Sequence, residues 1–551
     1  MRTGHVAGKV GIGLAVLILA VSAHIGAAFA APLPAIELES MSLEDLMNIP
    51  VYAASRFEQK SSEAPSSVTV VTSREIRKYG WKTLADLLRT VRGFHVSYDR
   101  SYNWVGVRGF LPPGDSNTKI LTLVDGHRMN DDVYNQAYLG EDFLLDLDLV
   151  DRVEIVRGPG SSLYGSNAFF AVINVITRRG ESVKGGEASL EGEHPRGLRG
   201  RLTYGNRFKN GAEVLLSVSA LDRPGEDLFF PEFNDPATNN GVAQGLDGVR
   251  NRRFFGSASL GAFTLTGGYV RRDKDIPTSS FGAVFPDPTG WYLDESYFTE
   301  ARYEKEHDGT SVQARLFRDW HKFDSKMTME DPMMNPIAPF RLVMRDRAEA
   351  RSWGAETKVT RTLLERHTAT AGAEYRRIYR ITQTIFAEDP FTSFLDTNRN
   401  SYVWALFLQD EVRLAEGLLL NVGIRHDHYG TFGGTTNPRA ALIWSPRETT
   451  ALKLLYGQAF RAPTPFELYW NDGGLTQKAS PDLKPERIRT LEVVWEQGLG
   501  KNLRSVVAAY ENRIKDPIGV VTDPADSLDV SRNLGEARGM GGRGGAGREV
   551  G

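Results

Sequence analysis

From about residue 185 onward, short segments of this chain alternate between apolar and polar side chains. The segment 418–425 has an apolar residue at every even position, and the segment 491–495 has one at every odd position. A period of two is that of a β-strand with two different faces. Roughly fifteen or sixteen such strands fit into this part of the chain, so most of the protein is expected to be one antiparallel β-structure.

The connections between these strands fall into two classes, tight turns and long loops, which follow one another along the chain. Short connections at one end and long ones at the other are typical of a β-barrel in an outer membrane. A soluble β-sandwich is the alternative, but it would seldom sustain this asymmetry over so many strands. The predicted turns are 208–211, 260–262, 306–309, 415–417 and 498–501, and the predicted loops lie near 222–250, 273–293, 323–346, 383–400 and 461–486.

Residues 1–30 have the three parts of a secretory signal peptide. A basic start is followed by the apolar run Val10–Ala23 and by the cleavage site Ala28-Phe29-Ala30. The apolar run is shorter than the roughly 20 residues of a spanning helix, which argues against a membrane anchor. Since no later run is long enough, the exported chain is expected to be soluble or to cross a membrane as a β-barrel.

Residues 61–180 have a different pattern, that of a compact α+β unit. Two capping boxes, Thr72 with Glu75 and Thr83 with Asp86, predict two short helices. A unit of this length buries a modest core of its own and can fold separately. Alternation of β-branched residues predicts its strands at 68–71, 119–124 and 153–156.

Five motifs of this unit resemble the plug domain of TonB-dependent outer-membrane receptors, and they occur in that family's order. Three stretches of the β-rich part resemble late barrel strands and loops of the same family. The plug motifs are EAPSSVTVVTSREI (63–76), TLADLLRTVRGF (83–94), GVRGF (106–110), ILTLVDGHRMN (120–130) and DRVEIVRGPGSSLYGSNAFFAVINVITRR (151–179), and the barrel stretches are 456–469, 483–497 and 508–518.

The resemblance implies a mainly β fold, in which a transmembrane antiparallel β-barrel contains an N-terminal α+β plug. Plugged barrels of this class have about 22 strands, so the strands predicted here would form an incomplete barrel. The Gly/Arg-rich end does not alternate, and we interpret it as a truncated or frameshifted terminus. The expected domains are a signal peptide at 1–30, a periplasmic leader at 31–60, the plug at 61–180, a partial barrel at 181–538 and an aberrant tail at 539–551.

The function implied by the resemblance is active import of a scarce solute, such as an iron-siderophore, haem or cobalamin, across the outer membrane of a Gram-negative bacterium. The ligand would bind at the extracellular face, and an inner-membrane energy complex of the TonB type would displace the plug. Outer-membrane lipid and the outer-membrane assembly machinery are further expected partners. A passive outer-membrane pore and a non-functional receptor remnant are the alternatives.

The family's energy partner pulls on a strand just before the plug. Here the candidate segment is Ile49-Pro50-Val51-Tyr52-Ala53-Ala54, which could add as a strand to the edge of a partner's sheet. We expect the leader to be exposed and poorly ordered, because its apolar content is small. A merely disordered leader is the alternative interpretation, and Ala35–Leu38 is a second candidate segment.

Two further sets of side chains are predicted to act in the plugged barrel. Arg108 and Arg157 are expected to latch the plug through carboxylates on the inner barrel wall, since arginine pairs with carboxylates in a bidentate manner. Aromatic residues of the long loops are expected to gather at the extracellular mouth above the plug loops, because aromatic anchors suit bulky ligands. The aromatic candidates are Phe229, Phe230, Phe281, Trp291, Tyr292, Tyr469 and Trp470.

Composition argues against several other functions. Removal of the signal peptide leaves 64 basic and 69 acidic residues, which is a net charge of −5. Proteins that bind nucleic acid usually carry an excess of basic residues, so this charge argues against that function. The chain contains no cysteine and none of the familiar hydrolase or metalloprotease motifs, so no enzyme, cofactor or metal site is expected. His426 with His428, and the methionines between 323 and 346, remain weak alternatives for a metal site.

Overall fold

The computed structural model describes residues 50–110, 115–194, 196–331, 340–474, 476–499 and 503–548. The predicted signal peptide, the segment Ala35–Leu38 and Ile49 lie outside the described residues, as do Met333 and Met334 of the methionine-rich region. Among the described residues, no helix is both long enough and apolar enough to cross a membrane.

The first part of the structure is the α+β plug. Its central five-stranded sheet has the order β3-β8-β9-β6-β7, in which only β6 and β9 run parallel. The elements are β1 Pro50–Val51, β2 Gln59–Lys60, β3 Ser67–Thr72, α1 Ser73–Tyr79, α2 Leu84–Arg89, β4 Phe94–Tyr98, β5 Asn103–Val107, β6 Ile120–Val124, β7 His127–Arg128, β8 Val150–Arg157, α3 Ser161–Tyr164, β9 Ala171–Thr177 and α4 Gly180–Val183.

Local sequence accounts for the two longer plug helices. Both predicted capping boxes form, with Thr72 and Thr83 each accepting from the backbone three residues on. Gly80 ends α1 in the left-handed conformation, at a φ of 67°, which favours glycine. The apolar face of α2 is completely buried in the plug core. The predictions of these helices and of the three plug strands are therefore confirmed.

The rest of the chain forms one antiparallel sheet of 16 strands, in which sequence neighbours pair throughout. Five more short strands, β13, β14, β25, β28 and β29, lie in the long connections. The sheet strands are β10 Gly185–Glu193, β11 Gly197–Arg207, β12 Glu213–Arg223, β15 Val249–Leu260, β16 Phe263–Asp275, β17 Trp291–His307, β18 Thr310–Asp331, β19 Phe340–Leu363, β20 His367–Ala387, β21 Thr392–Ala415, β22 Leu418–Tyr429, β23 Gly433–Arg447, β24 Thr450–Arg461, β26 Glu486–Leu499, β27 Leu503–Lys515 and β30 Glu536–Arg548. The connecting elements are β13 Glu226–Phe229, β14 Val242–Leu246, β25 Gln477–Lys478, α5 Pro465–Tyr469, β28 Ile518–Thr522 and β29 Asp529–Asn533.

The large sheet has the two faces that the alternation predicts. Its outer face is apolar and exposed, as at Leu406, Leu408, Val422 and Ile424, while the residues between them point inward and are mostly buried against the plug. An apolar outer face and a polar inner face are the pattern of a membrane barrel. The predictions of a mainly β fold and of fifteen or sixteen sheet strands are confirmed.

Two of the predicted loops were wrong, because strands extend through most of them. The segment 323–346 belongs largely to β18 and β19, and the segment 383–400 belongs largely to β20 and β21. These parts of the strands carry polar residues on both faces. The alternation of apolar and polar residues is therefore lost there, although the strands remain paired through their backbones. We predicted a separate, aberrant tail from residue 539. In the structure this segment belongs to β30 and pairs with β27 as far as Arg548.

The core of the plug gives a stability prediction. Replacing Leu87, which is 0% exposed on α2, with alanine should destabilise the plug by about 2–5 kcal/mol, because the change leaves a cavity in a closely packed core. Limited proteolysis of the purified chain in increasing urea measures this. The matched control is Tyr79→Ala at the end of α1, where the side chain is 62% exposed and should matter little. Equal midpoints for the two variants would contradict the packing described here.

Candidate functional site

The inner face of the sheet holds the plug through buried ion pairs. In some of these pairs a carboxylate of the plug contacts an arginine of the sheet, and in others a cation of the plug contacts a carboxylate of the sheet. Glu141 of the plug contacts Arg199 at 2.6 Å and Arg253 at 2.9 Å. Asp132 of the plug contacts Arg376 on β20 at 3.0 Å. Breaking one partner of such a buried pair leaves an uncompensated charge, so these contacts fix the plug firmly in place.

The two plug arginines predicted as latches have different surroundings. The guanidinium of Arg108 lies 2.5 Å from the carboxylate of Glu492 on β26, with both side chains almost completely buried. It also stacks on the ring of Tyr510 at 4.3 Å. Arg157, in contrast, donates to the hydroxyl of Ser67 at 3.1 Å and forms no ion pair with a carboxylate of the described residues.

His127 of the plug is held between two carboxylates of the sheet. Its Nδ1 lies 3.0 Å from Glu300 on β17, and its Nε2 lies 2.8 Å from Asp319 on β18. Ionised carboxylates only accept hydrogen bonds, so this arrangement requires a proton on both ring nitrogens. Burial alone would lower the pKa of His127, but the charges of Asp319 and Glu300 outweigh it and raise the pKa above its ordinary value.

A cavity of about 360 Å³ lies between the plug and the sheet. The plug contributes turns around 128–135 and 164–166, and the sheet contributes β20, β21 and β22 toward the end that carries the long loops. The helix α5, in the connection after β24, adds Leu468 and Tyr469. The cavity therefore lies where plug, sheet and a long connection meet.

The charged side chains around this cavity are predominantly basic. They are four arginines and two acids, and two of the arginines are neutralised, because Arg376 pairs with Asp132 and Arg425 pairs with Glu374. Within the described residues, Arg128 and Arg399 form no ion pair with a carboxylate. Burial, and then the nearby Arg376, lower the pKa of Arg128. The lining side chains thus carry an excess of positive charge, while Asp319 and Asp427 outside the lining also contact Arg376 and Arg425. The six residues are Arg128, Asp132, Glu374, Arg376, Arg399 and Arg425.

An aromatic network runs beside the cavity and joins plug to sheet. It includes two of the predicted ligand-contacting residues, Tyr292 and Trp470, and connects them through aromatic residues that sequence reasoning did not select. Successive ring centroids are 5.4–6.1 Å apart, within the range of favourable aromatic pairs. The order is Tyr102, Tyr292, Phe323, Tyr134, Phe466 and Trp470.

The other predicted aromatic residues lie in different places. Tyr469 lines the cavity, and Arg399 lies over its ring at 4.0 Å. Trp291 at the start of β17 stacks with an arginine of β19. Phe230 packs into a small loop core, while Phe229 and Phe281 are exposed.

In the candidate energy-coupling segment Val51, Ala53 and Ala54 are buried and Tyr52 is half-buried, so the expectation of an exposed leader was wrong for residues 51–54. The backbone amides of Tyr52 and Ala53 donate to the carboxylate of Glu154 at 2.9 and 2.8 Å. The hydroxyl of Tyr52 accepts from Lys358, which lies toward the tight-turn end of β19. The hydrogen bonds of the two backbone amides and of the Tyr52 hydroxyl hold this segment in place. They outweigh its low apolar content, which was the reason to expect an exposed leader.

Within the part of the chain that the structure describes, no group of three or more His, Asp and Glu residues is arranged to hold a metal ion. His426 bonds to the hydroxyl of Thr436 on the outer face, and Trp404 lies against its ring. The methionine-rich segment is largely strand, and two of its methionines lie outside the described residues.

Comparison with known protein families identifies both parts of the molecule. The family model described as TonB dependent receptor-like, beta-barrel, matches residues 228–542, which is more than half of the chain. The model described as TonB-dependent Receptor Plug Domain matches residues 60–172. The chain belongs to the TonB-dependent receptor family.

The receptor is similar to several named proteins and to solved structures. It is 25% identical over 494 residues to the vitamin B12 transporter BtuB of Vibrio vulnificus, covering 85% of this chain and 70% of that one. It is 24% identical over 500 residues to the iron-regulated outer membrane virulence protein of Vibrio cholerae, covering 88% and 71%. A solved ferric enterobactin receptor from Pseudomonas aeruginosa shares the fold, with a TM-score of 0.67 at 19% identity over 88% of this chain and 78% of that one.

Sequence reasoning missed the arginines of the cavity. Arg128 is part of the motif ILTLVDGHRMN, so the resemblance pointed to its neighbourhood without singling it out. Arg376 and Arg425 lie at inward positions of alternating strands, where a charged residue stands out against an apolar outer face. Arg399 lies in a segment that we predicted as loop. A search for inward-facing arginines would have found two of the four.

His127 gives the receptor a pH-dependent plug contact. Because its folded pKa is raised, its contribution to stability is fully present below the unfolded pKa of about 6.5 and is lost as the pH rises through the folded value. The urea midpoint of the plug should therefore fall as the pH is raised above about 6.5. His127→Gln, which cannot carry the charge, should be less stable at low pH and should lose most of this dependence. An identical pH profile in the variant would refute the assignment.

Proposed function

We propose that this TonB-dependent receptor actively imports an anionic chelate, with a ferric siderophore as the favoured class. The ligand would enter from the end of the sheet that carries the long loops and bind above the plug. The observation that carries the proposal is the cavity with four arginines and two acids. Two of those arginines, Arg128 and Arg399, have no carboxylate partner within the described residues.

The chemistry of the cavity suits a bulky anion with aromatic or planar groups. Guanidinium groups bind oxyanions and carboxylates through paired hydrogen bonds. Tyr469 and Tyr429 supply aromatic surface on the same wall. Arg399 lies over the Tyr469 ring, so a ligand that contacts one of them also meets the other.

Cobalamin is the second candidate, favoured by the likeness to a vitamin B12 transporter at 25% identity. The likeness to an iron-regulated outer membrane virulence protein is of nearly equal strength, and regulation by iron is in keeping with an iron chelate. The excess positive charge of the cavity favours the anionic ligand of the two.

The coupling segment at 50–54 would be the part on which the energy complex acts. It lies toward the tight-turn end of the sheet, opposite the long connections. Glu154 holds its amides, the hydroxyl of Tyr164 donates to Ala53 at 3.1 Å, and Arg439 donates to Ala54 at 3.0 Å. To add as a strand to a partner, the segment must first leave these contacts.

A disulfide across β1 and β2 tests the coupling role. Val51 and Gln59 are directly opposed in this antiparallel pair, a geometry that places Cα atoms about 4.5–5.5 Å apart and suits a disulfide. The chain has no cysteine of its own. Val51→Cys with Gln59→Cys should abolish energised uptake when oxidised and restore it with reductant, while surface binding of ligand at low temperature stays intact.

The matched control joins two sheet strands through Thr360→Cys with Thr370→Cys, since these residues face each other on β19 and β20 with hydroxyls 3.0 Å apart. That disulfide should leave uptake unchanged. Normal uptake by the oxidised β1–β2 variant would move the coupling segment elsewhere in the leader. Uptake that persists without a proton gradient would favour a passive pore.

The ligand class is tested by direct binding to the purified receptor. Arg128→Ala and Arg399→Ala should each weaken binding of a ferric siderophore by roughly ten- to a hundredfold, because a hydrogen bond to a charged group contributes about 1.5–3 kcal/mol. Cyanocobalamin should bind weakly and respond little to either change. The control is Arg318→Ala on the exposed outer face. Tight cobalamin binding with no siderophore binding would favour the second candidate.

A further inference from the structure

A second basic cluster lies between the plug and the last strands of the sheet, away from the cavity. Arg92, Arg108 and Arg157 of the plug and Arg543 of β30 are electrostatic neighbours there. Arg108 contacts Glu492 at 2.5 Å, and Arg543 contacts the other oxygen of the same carboxylate at 2.9 Å. Among the described residues, Glu492 is the only carboxylate that forms an ion pair with any of the four.

The charge of this cluster is not balanced. Four guanidinium groups lie around one carboxylate, which only Arg108 and Arg543 contact, and the buried charge of Arg157 without such a partner carries a large desolvation penalty. Burial, and next the Arg543 guanidinium, hold the pKa of Arg157 well below its ordinary value. The hydroxyl of Ser67 accepts from both Arg157 and Arg543 and supplies no charge.

Three hydrogen-bond donors in this arginine cluster are buried and lack an acceptor among the described residues. The Nε atoms of Arg108 and Arg157 and one terminal nitrogen of Arg543 are buried without a hydrogen-bond acceptor among the described residues. Arg108 and Arg157 are themselves at least nine-tenths buried. Buried donors of charged groups are normally satisfied, so three unpartnered donors in one cluster favour an acceptor from outside the described residues.

We propose that the cluster of Arg92, Arg108, Arg157 and Arg543 binds a small oxyanion of the phosphate or sulfate class. Such an anion accepts several hydrogen bonds at once and is the usual partner of clustered guanidinium groups. It would join the plug, through Arg108 and Arg157, to the sheet, through Arg543.

The cluster is bordered by small residues and has one exposed member. Two glycines border it, and a Cβ at Gly93 or Gly158 would fall 3.8 Å from Arg543 or Glu492. Arg92 is exposed, and Gly545 beside it lies near the tight-turn end of β30. An ion could therefore enter from that end along Arg92. The cluster faces the interior, so a lipid headgroup on the outer face is not its source.

Thermal unfolding of the purified full chain in detergent tests the proposal. Inorganic phosphate is titrated against chloride at constant ionic strength. A ligand that binds the folded state raises the melting temperature with the logarithm of its concentration above Kd. We expect a rise of several degrees in phosphate, a smaller response when Arg92→Gln removes the exposed member, and an unchanged response for Arg538→Gln, whose side chain pairs with Glu511 away from the cluster.

A charge replacement makes the test decisive. Arg543→Glu places a carboxylate where the anion would sit, so this variant should melt higher than the parent in chloride and should no longer respond to phosphate. If phosphate and chloride act alike on the parent, or if Arg543→Glu keeps the full phosphate response, the cluster is not an anion site. Since Arg92 is exposed, its variant keeps the test valid even if changes at Arg543 impair folding.

Discussion

The structure depends on the fact that a sheet with an apolar outer face must carry its polar side chains inside. In lipid, the backbone polar groups of a strand are satisfied only by its neighbours in the sheet. The inner face of the sheet is therefore polar. The charged side chains of a domain that fills the interior must pair with the charged side chains of that face. The plug meets this requirement with carboxylates such as Glu141 and Asp132, which receive the arginines of the wall.

The ion pairs between plug and sheet determine which parts of the plug can move at a small cost in free energy. The contacts of His127, Glu141 and Arg108 are buried ion pairs, and displacing the whole plug would break all of them together. The segment at 51–54 has no charged side chain and is held by hydrogen bonds, in which its amides donate to Glu154 and its carbonyls accept from Tyr164 and Arg439. A pulling force would therefore free this segment first. The remainder of the plug would follow only as its charged contacts yield.

The sequence predicted the parts of this molecule that depend on periodicity and local chemistry. Alternation predicted the strands and their faces, and two capping boxes predicted α1 and α2. The extensions of β18–β21 were missed because their outer faces become polar beyond the apolar band. The pairing of Arg376 with Asp132 spans 244 positions, and no local pattern encodes such a partner. The burial of residues 51–54 likewise depends on Glu154, about a hundred positions away.

The pair of Arg376 and Asp132 links the cavity to the plug. Arg376 lines the cavity and also holds Asp132 at 3.0 Å and Asp319 at 3.2 Å, and Asp319 in turn bonds His127. An anion in the cavity would compete with Asp132 for the same guanidinium, because one arginine has a limited set of donors. The competition would weaken a contact that keeps the plug in place. An anionic ligand could in this way loosen the plug from above, where a neutral ligand of equal size could not.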